Sequence, residues 1–325
     1  MKVSVIIPVY NVENFIVKCA ESLFRQTLDD VEYIFVDDAS PDKSMALLEQ
    51  CIQKFPEKKS QIHILRHEIN KGLPAARNTG LSVACGEYIF HCDSDDFVDK
   101  EMLEVLYSEA VMQKADFVWC DWYLSFEKNE RYMKQSGYKT PVEALKAMLS
   151  GAMKFTVWNK LVKRSLYVEH DIKFPEGYGM GEDMTMIMLC SCATTVAYVP
   201  RAFYHYVKLN ASAYTQNFTM RHLSDLKYNI SRIESFIYNK FGNSFEQEIA
   251  FLKLDIKYPF LISSSSEKYH LWKALYPEVN CYIGKNKLIS FRANALQWCA
   301  SKGYFFFVRL HYYFLQKIIY GIIYK

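Results

Sequence analysis

The feature that most constrains this chain is the alternation, over roughly its first 120 residues, of short apolar runs with longer amphipathic ones. Val3–Val9, Val31–Val36, Ile62–Leu65, Tyr88–Cys92 and Phe117–Cys120 read as buried strands, each bounded by polar or turn-forming residues. Between them lie Val12–Phe24, Met45–Phe55, Pro74–Ala84 and Met102–Met112, which read as helices. In the first of these Val12, Phe15, Ile16, Cys19, Ala20 and Leu23 follow the 3.6-residue period behind Asn11, a residue suited to capping a helix. Strands that alternate with helices pair through right-handed crossovers, so the expected fold is α/β with a mostly parallel sheet.

Downstream, Thr140-Pro141-Val142-Glu143 is a capping box with proline at the first helical position, and predicts a helix through about Ser150. Residues 155–214 read as short strands around one helix, Glu182–Cys192. Beyond Thr219 the pattern turns nearly all helical, punctuated by Gly242, Pro259 and Gly284. A boundary is therefore expected near residue 215. It separates an α/β domain, residues 1–214, from a basic, aromatic-rich helical region, residues 215–325, as suits a chain of 325 residues.

The 24 Tyr and 22 Phe exceed what a core normally needs, so part of the aromatic surface is expected to face a sugar, a partner or a lipid interface. The net charge of +3 is unevenly spread: from Val279 onward there are Lys285, Lys287, Arg292, Lys302, Arg309, Lys317 and Lys325 and no acid. These basic residues are too sparse, and framed by no recognised motif, for a nucleic-acid partner. Nine cysteines, an odd number scattered among apolar residues, suit free thiols in a reducing compartment. Cys190-Ser191-Cys192 lacks the spacing of a zinc site. Lys2 runs directly into a strand with no small-residue cleavage site, so no signal peptide is expected and the protein is placed in the cytoplasm.

In open α/β sheets ligands sit beyond the carboxyl ends of the strands. Strand one ends in Pro8-Val9-Tyr10-Asn11, strand two in Asp37-Asp38-Ala39-Ser40, and strand three leads into Asn70-Lys71-Gly72 and on to Arg77-Asn78. Strand four ends in Asp93-Ser94-Asp95-Asp96, whose crowded carboxylates suit a divalent cation as well as a helix-capping turn. Tyr10 offers an aromatic face to a base, Asp38 an acceptor for a base N–H and Arg77 a positive charge for phosphate; each also has a purely structural reading. Gly181-Glu182-Asp183 places acids at the start of a helix, where the anion is stabilised.

Together these segments resemble family 2 glycosyltransferases, inverting nucleotide-sugar enzymes of the GT-A fold, over roughly residues 1–210. The resemblance implies a nucleotide-sugar donor, with a UDP-sugar expected, and Mn²⁺ or Mg²⁺ as cofactor. It implies that Asp38 pairs with the base, Pro8 and Tyr10 line its pocket, Asp93 contacts the nucleoside, Asp95 binds the metal and Asp96 supports it. Asp183 is then the catalytic base, Glu182 its acceptor-positioning neighbour, and Trp158-Asn159-Lys160 borders the acceptor sugar, as in capsule- and cell-wall-type members. His205 is implied as a further metal ligand, against a core histidine. The implied acceptor is a glycan or lipid-linked glycan of a surface polysaccharide. A sugar-nucleotide pyrophosphorylase would carry a Gly-rich, Arg-bearing loop after strand one, and a dinucleotide-binding dehydrogenase a G-x-G-x-x-G there; neither is present. A relative that binds nucleotide sugar without chemistry is the remaining rival.

The segment Tyr304–Lys325 is too interrupted by Arg309, His311, Gln316 and Lys317 to span a bilayer. As a helix it aligns Arg309, Tyr313, Gln316, Lys317, Tyr320 and Tyr324 on one stripe, apart from Phe306, Leu310, Phe314, Ile318 and Ile322. Such a helix suits peripheral contact with the anionic inner face of the plasma membrane, or packing against the catalytic domain or a second copy of the chain.

Overall fold

The computed structural model describes residues 1–208 and 219–315. The expected domain boundary near 215 and the stripe residues beyond Leu315 lie outside them. The chain opens with β1 (Val3–Val9), α1 (Ile16–Phe24), β2 (Val31–Asp37), α2 (Ser44–Gln53), β3 (Ile62–Arg66), α3 (Leu73–Val83) and β4 (Tyr88–His91). There follow β5 (Phe97–Val98), α4 (Met102–Gln113), β6 (Phe117–Ser125), β7 (Glu130–Met133), α5 (Pro141–Leu149), β8 (Lys160–Lys163) and α6 (Arg164–Glu169). After these come α7 (Thr185–Cys192), β9 (Val196–Val207), α8 (Met220–Phe241), α9 (Glu246–Lys257), α10 (Ser266–Ala274), α11 (Phe291–Ser301) and α12 (Phe305–Phe314).

One sheet runs in the order β3-β2-β1-β4-β8-β6-β9-β5, with β7 beside β6. The β1, β2, β3 and β4 strands are mutually parallel, and β1 is buried along its whole length because it has neighbours on both edges and helices over its faces. Beyond β4 the sheet is mixed: β8 runs antiparallel to β4 and β6, and β9 parallel to β6. Two local expectations change. Asn11 does not cap α1; its backbone is left-handed, at φ 55°, its N–H donates to Ser40 Oγ at 2.8 Å, and the helix starts only at Ile16. The stretch after residue 155 holds α6 as well as α7, and Glu182–Met184 forms a 3₁₀ turn ahead of α7.

The chain separates into two compact units. The first comprises residues 1–125, 130–141 and 155–233, and carries the sheet; the second comprises residues 126–129, 142–154 and 234–325. In the second, Ala250, Phe251, Leu254 and Val279 form an apolar cluster with Tyr276, Tyr282 and Ile283. The buried Lys257 ammonium is held by the Leu275 and Tyr276 carbonyls and by Asn280 Oδ1 at 2.6 Å, and lies 4.4 Å from the Trp272 ring centre. Burial pushes its pKa down to about 8.

On α12, Val308 turns inward, whereas Phe306, Phe307, Leu310, Tyr313 and Phe314 are exposed. The Arg309 guanidinium donates to Ser266 Oγ at 3.1 Å. The exposed surface thus carries Arg309 and Tyr313 of the expected stripe together with the apolar Phe306, Leu310 and Phe314. No helix among the described residues is long and apolar enough to cross a membrane.

Gly86, just before β4, passes against the start of β1: a Cβ there would stand 2.5 Å from the Ser4 backbone nitrogen and 2.7 Å from the Val3 carbonyl carbon. Backbone atoms inside a sheet cannot retreat as a flexible side chain can. Gly86→Ala is therefore expected to cost roughly 1–3 kcal/mol, read as a lower urea midpoint at unchanged slope. An unchanged midpoint would show that the β1–β4 register tolerates the shift.

Candidate active site

The chain leaves β1 toward β2 on one side, while β4 lies on the other, so the carboxyl ends of β1 and β4 flank a crevice. Pro8 is buried opposite Val36, and Tyr10 just beyond it is 47% exposed, an open aromatic face at the mouth.

Asp38, at the end of β2, is buried and committed to the loop that follows β3. Its Oδ1 accepts the Lys71 N–H at 2.8 Å and meets His67 Nδ1 at 2.6 Å; Oδ2 accepts the Gly72 N–H at 2.8 Å. Oδ2 keeps capacity for one further donor. Asp38 thus shapes the pocket wall first, and any contact with a base is additional to that work.

The acidic loop divides its labour. Asp96 is buried, accepting the Tyr204 hydroxyl at 2.7 Å and the Val207 N–H at 2.7 Å, while the same hydroxyl accepts the Asp93 N–H at 3.1 Å. Burial, and then the charges of Asp95 and Asp93, push the Asp96 carboxyl well above the usual range. Asp96 is therefore a structural member, pinning the loop to β9. Asp95 is partly exposed, and Asp93 is drawn toward α3.

That pull comes from Arg77. Only 1% exposed, its guanidinium reaches Asp93 Oδ1 at 3.0 Å, Glu182 Oε1 at 3.2 Å and Asp183 Oδ1 at 3.2 Å. Burial works to discharge it, but the three carboxylates overcome that and hold its pKa above the ordinary value. Arg77 is thus the hub that ties the acidic loop to the Glu182–Asp183 turn; the expected phosphate-facing charge is already spent on these carboxylates. Both Glu182 and Asp183 are nonetheless pushed above the usual carboxyl range, chiefly by burial.

The Trp158-Asn159-Lys160 segment lies beneath the site. Trp158 is 4% exposed and stacks on Tyr204 and Tyr206, with ring centres 4.6 and 5.5 Å away, so it belongs to the floor and does not present a face to a sugar. Lys160 is equally buried; its ammonium donates to the Thr156 carbonyl at 2.7 Å and to Asn159 Oδ1 at 2.8 Å. Burial lowers its pKa to about 7, against the pull of Asp183.

His205 departs from its expected role. Tyr204 and Tyr206 share the face of β9 that meets the acidic loop and Trp158, so alternation turns His205 to the other face. There it stacks between Phe97 and Tyr123, with Nδ1 2.7 Å from Glu130 and Nε2 3.3 Å from Asp99. It is a core histidine.

Sequence reasoning missed the roles of five residues. Tyr204 is hidden in the aromatic run Phe203–Tyr206, where strand alternation is the only signal. Asn78 fastens α3 to the segment before the Glu182–Asp183 turn, donating to the Phe174 carbonyl and accepting its N–H, at 2.9 and 2.8 Å. From α8, Asp225 accepts the Gly179 N–H at 3.1 Å, Asn229 donates to the Met180 carbonyl at 2.9 Å and Arg232 donates to Thr185 Oγ1 at 3.1 Å. Their i, i+4, i+7 spacing was legible, but not what it faces.

Among the described residues no three His, Cys, Asp or Glu side chains converge into a complete metal site. Asp95 is partly exposed beside Asp93 and Asp96, and burial first, then the charges of Asp95 and Asp93, raises Asp96; carboxylate oxygens of this kind are the donors a hard cation takes. Such a cation would draw its remaining ligands from substrate and water.

Arg77→Met would leave three carboxylates without their counter-charge, a loss of about 3–5 kcal/mol for a buried cluster. The raised acids bind protons more tightly in the folded than in the unfolded chain, so stability falls as pH rises through the window above the ordinary carboxyl range. Without Arg77 that fall steepens. The variant is expected to melt closer to wild type at about pH 5 than at about pH 8, and an equal deficit at both would contradict the hub.

A model described as Glycosyl transferase family 2 matches residues 4–173. The uncharacterized glycosyltransferase EpsJ of Bacillus subtilis (strain 168) is 35% identical over 188 residues, 56% of this chain and 53% of EpsJ. The putative glycosyltransferase EpsH of the same organism is 32% identical over 224 residues, 66% of this chain and 63% of EpsH. The matches thus span between half and two thirds of these relatives. S. aureus TarS 1-349, solved in complex with UDP-GlcNAc, superposes with a TM-score of 0.72 at 22% identity, covering 96% of this chain and 91% of that TarS fragment. The sheet and its helices are a GT-A fold, and with the family model running from β1 past the acidic loop, the chain belongs to glycosyl transferase family 2.

Proposed function

We propose that the chain transfers a sugar from a nucleotide diphosphate donor to a hydroxyl of a glycan acceptor, with inversion, in the building of a surface polysaccharide. The observation that carries this reading is the Arg77 bridge, which joins Asp93, at the strand end where a nucleotide would sit, to Asp183, 90 positions along the chain. A UDP-sugar is the favoured donor, because TarS, of the same fold, was solved with UDP-GlcNAc.

In this reading Tyr10 lies along the base, with Pro8 behind it, Asp38 Oδ2 accepts a base N–H, and Asp93 contacts the nucleoside. Asp95 would hold Mn²⁺ or Mg²⁺, which when bound offsets negative charge on the diphosphate. The Asp183 carboxylate takes the proton from the acceptor hydroxyl as its oxygen bonds to the anomeric carbon. The bond from that carbon to the diphosphate oxygen breaks, and its electron pair leaves with the diphosphate. Attack and departure on opposite faces invert the centre, the logic that also separates inverting from retaining glycosidases. The raised Asp183 carboxyl is suited to accept a proton near neutral pH, while Arg77 keeps it partly ionised. Glu182 and Lys160 set the field around it rather than touching the acceptor, and Trp158 supports the floor.

The second unit supports a site at an anionic membrane surface, where a lipid-linked acceptor is found. Phe306 and Phe307 are 74% and 56% exposed, in a stretch from Val279 onward that bears basic residues and no acid.

Asp183→Asn is expected to lower transfer by at least about 10²-fold while UDP binds as before. Wild-type kcat/KM should rise with pH through a pKa above the ordinary carboxyl range, because the base must be ionised. Asp95→Ala should remove both activity and its response to Mn²⁺. Unchanged turnover of a UDP-sugar panel by Asp183→Asn, or a protein that binds UDP-sugar and never turns it over, would refute the catalytic reading. For the membrane, replacing Phe306 and Phe307 by Ser should weaken co-sedimentation with phosphatidylglycerol vesicles about ten-fold or more; equal binding would remove this part of the proposal.

A further inference from the structure

The turn that carries Glu182 and Asp183 is held by α8 on one side, and the same contact builds a feature that the transfer chemistry does not use. The Tyr178 and Tyr228 rings stack with centres 3.6 Å apart and planes within 6°. The stack covers one face of each ring, yet Tyr228 remains 43% exposed and Tyr178 partly exposed, five positions before Asp183 along the chain. It is also rigid. Asp225 Oδ2 accepts the N–H groups of Gly179 and Met180 at 3.1 and 3.4 Å, and Asn229 Nδ2 donates to the Met180 carbonyl at 2.9 Å. Next in line, Gly181 packs so closely that a Cβ on it would stand 3.2 Å from Leu226 Cδ2 and 3.7 Å from Asn229 Cβ. Asp225, Tyr228, Asn229 and Arg232 form one stripe of α8, and all four engage the segment 173–185.

The polar clamps already fasten the segment to the helix, so holding it does not require two large rings left facing water. An exposed, pre-ordered aromatic pair on the segment that runs into Asp183 suits a ligand with an apolar face and hydroxyls around its edge. A pyranose whose substituents are all equatorial has that shape, since its ring C–H bonds line both faces. We infer that Tyr178 and Tyr228 form a stacking platform for the acceptor's terminal sugar, selecting an equatorially substituted, gluco-configured ring and setting its hydroxyl toward Asp183. This rests on the glycosyl-transfer reading for its role, though not for its chemistry: the platform binds sugar whether or not a donor is present.

The test uses the full chain and two independent readouts: saturation-transfer NMR with methyl β-D-glucopyranoside as probe, and calorimetry with UDP. Wild type and Tyr228→Phe should pass saturation to the probe's ring C–H protons. Tyr228→Ala and Tyr178→Ala should each weaken the probe about ten-fold, the scale of one aromatic contact, with UDP affinity unchanged. The inference is overturned if the wild type passes no saturation to the probe, if Tyr228→Ala binds it as the wild type does, or if probe and UDP affinity fall together, which would mark the rings as support for the fold. A wild type that binds the probe as described but not UDP would remove the donor reading and leave the platform standing.

Discussion

Everything at the crevice depends on one buried cation. Arg77 sits on α3 with its guanidinium out of water, and a charge so placed persists only where anions compensate it. Its partners come from two distant segments, the acidic loop after β4 and the turn before α7, so a single side chain decides how far apart they stand. The balance is unequal: one guanidinium faces three carboxylates, and burial, with the surplus negative charge, raises Glu182 and Asp183.

The rest of the scaffold holds the hub in register through side chains that seize backbone groups. Asp38 fixes the loop after β3, which leads into α3 and so aims Arg77. Asp96 and Tyr204 pin the acidic loop to β9, Asn78 fastens α3 to the stretch at Phe174, and Asp225 with Asn229 holds the next stretch from α8. Each of these polar groups satisfies backbone donors or acceptors that the irregular loops would otherwise leave open. The crevice walls are therefore loops of defined shape on a rigid sheet, the arrangement in which positioned chemistry is most reliable.

Roles assigned by resemblance shift when burial and direction are known. Trp158 and Lys160 are beneath the site, and His205 is behind it, because a strand sends successive side chains to opposite faces. Arg77, read from its place after strand three as a charge for phosphate, is paired with three carboxylates. The aromatic excess has outlets in both units: the Tyr178–Tyr228 pair in the first and the exposed face of α12 in the second.

The sequence by itself determined the layered α/β class, the strands β1 to β4 and the acids at their ends, because hydrophobic period and strand-end chemistry are local properties that any pairing of those segments must respect. It also marked the acidic loop and the Glu182–Asp183 turn as separate candidates. What it left open was their relation: that Asp93 and Asp183 share one guanidinium, that Asp96 is structural while Asp95 is partly exposed, that Asn11 bonds to Ser40 instead of capping α1, and that α8 grips the stretch leading into the Glu182–Asp183 turn. Those are facts about side-chain direction, burial and long-range contact. They exist only once the sheet has brought distant segments together and excluded water from between them, and it is that exclusion which turns an ordinary arginine and three ordinary acids into one interacting cluster.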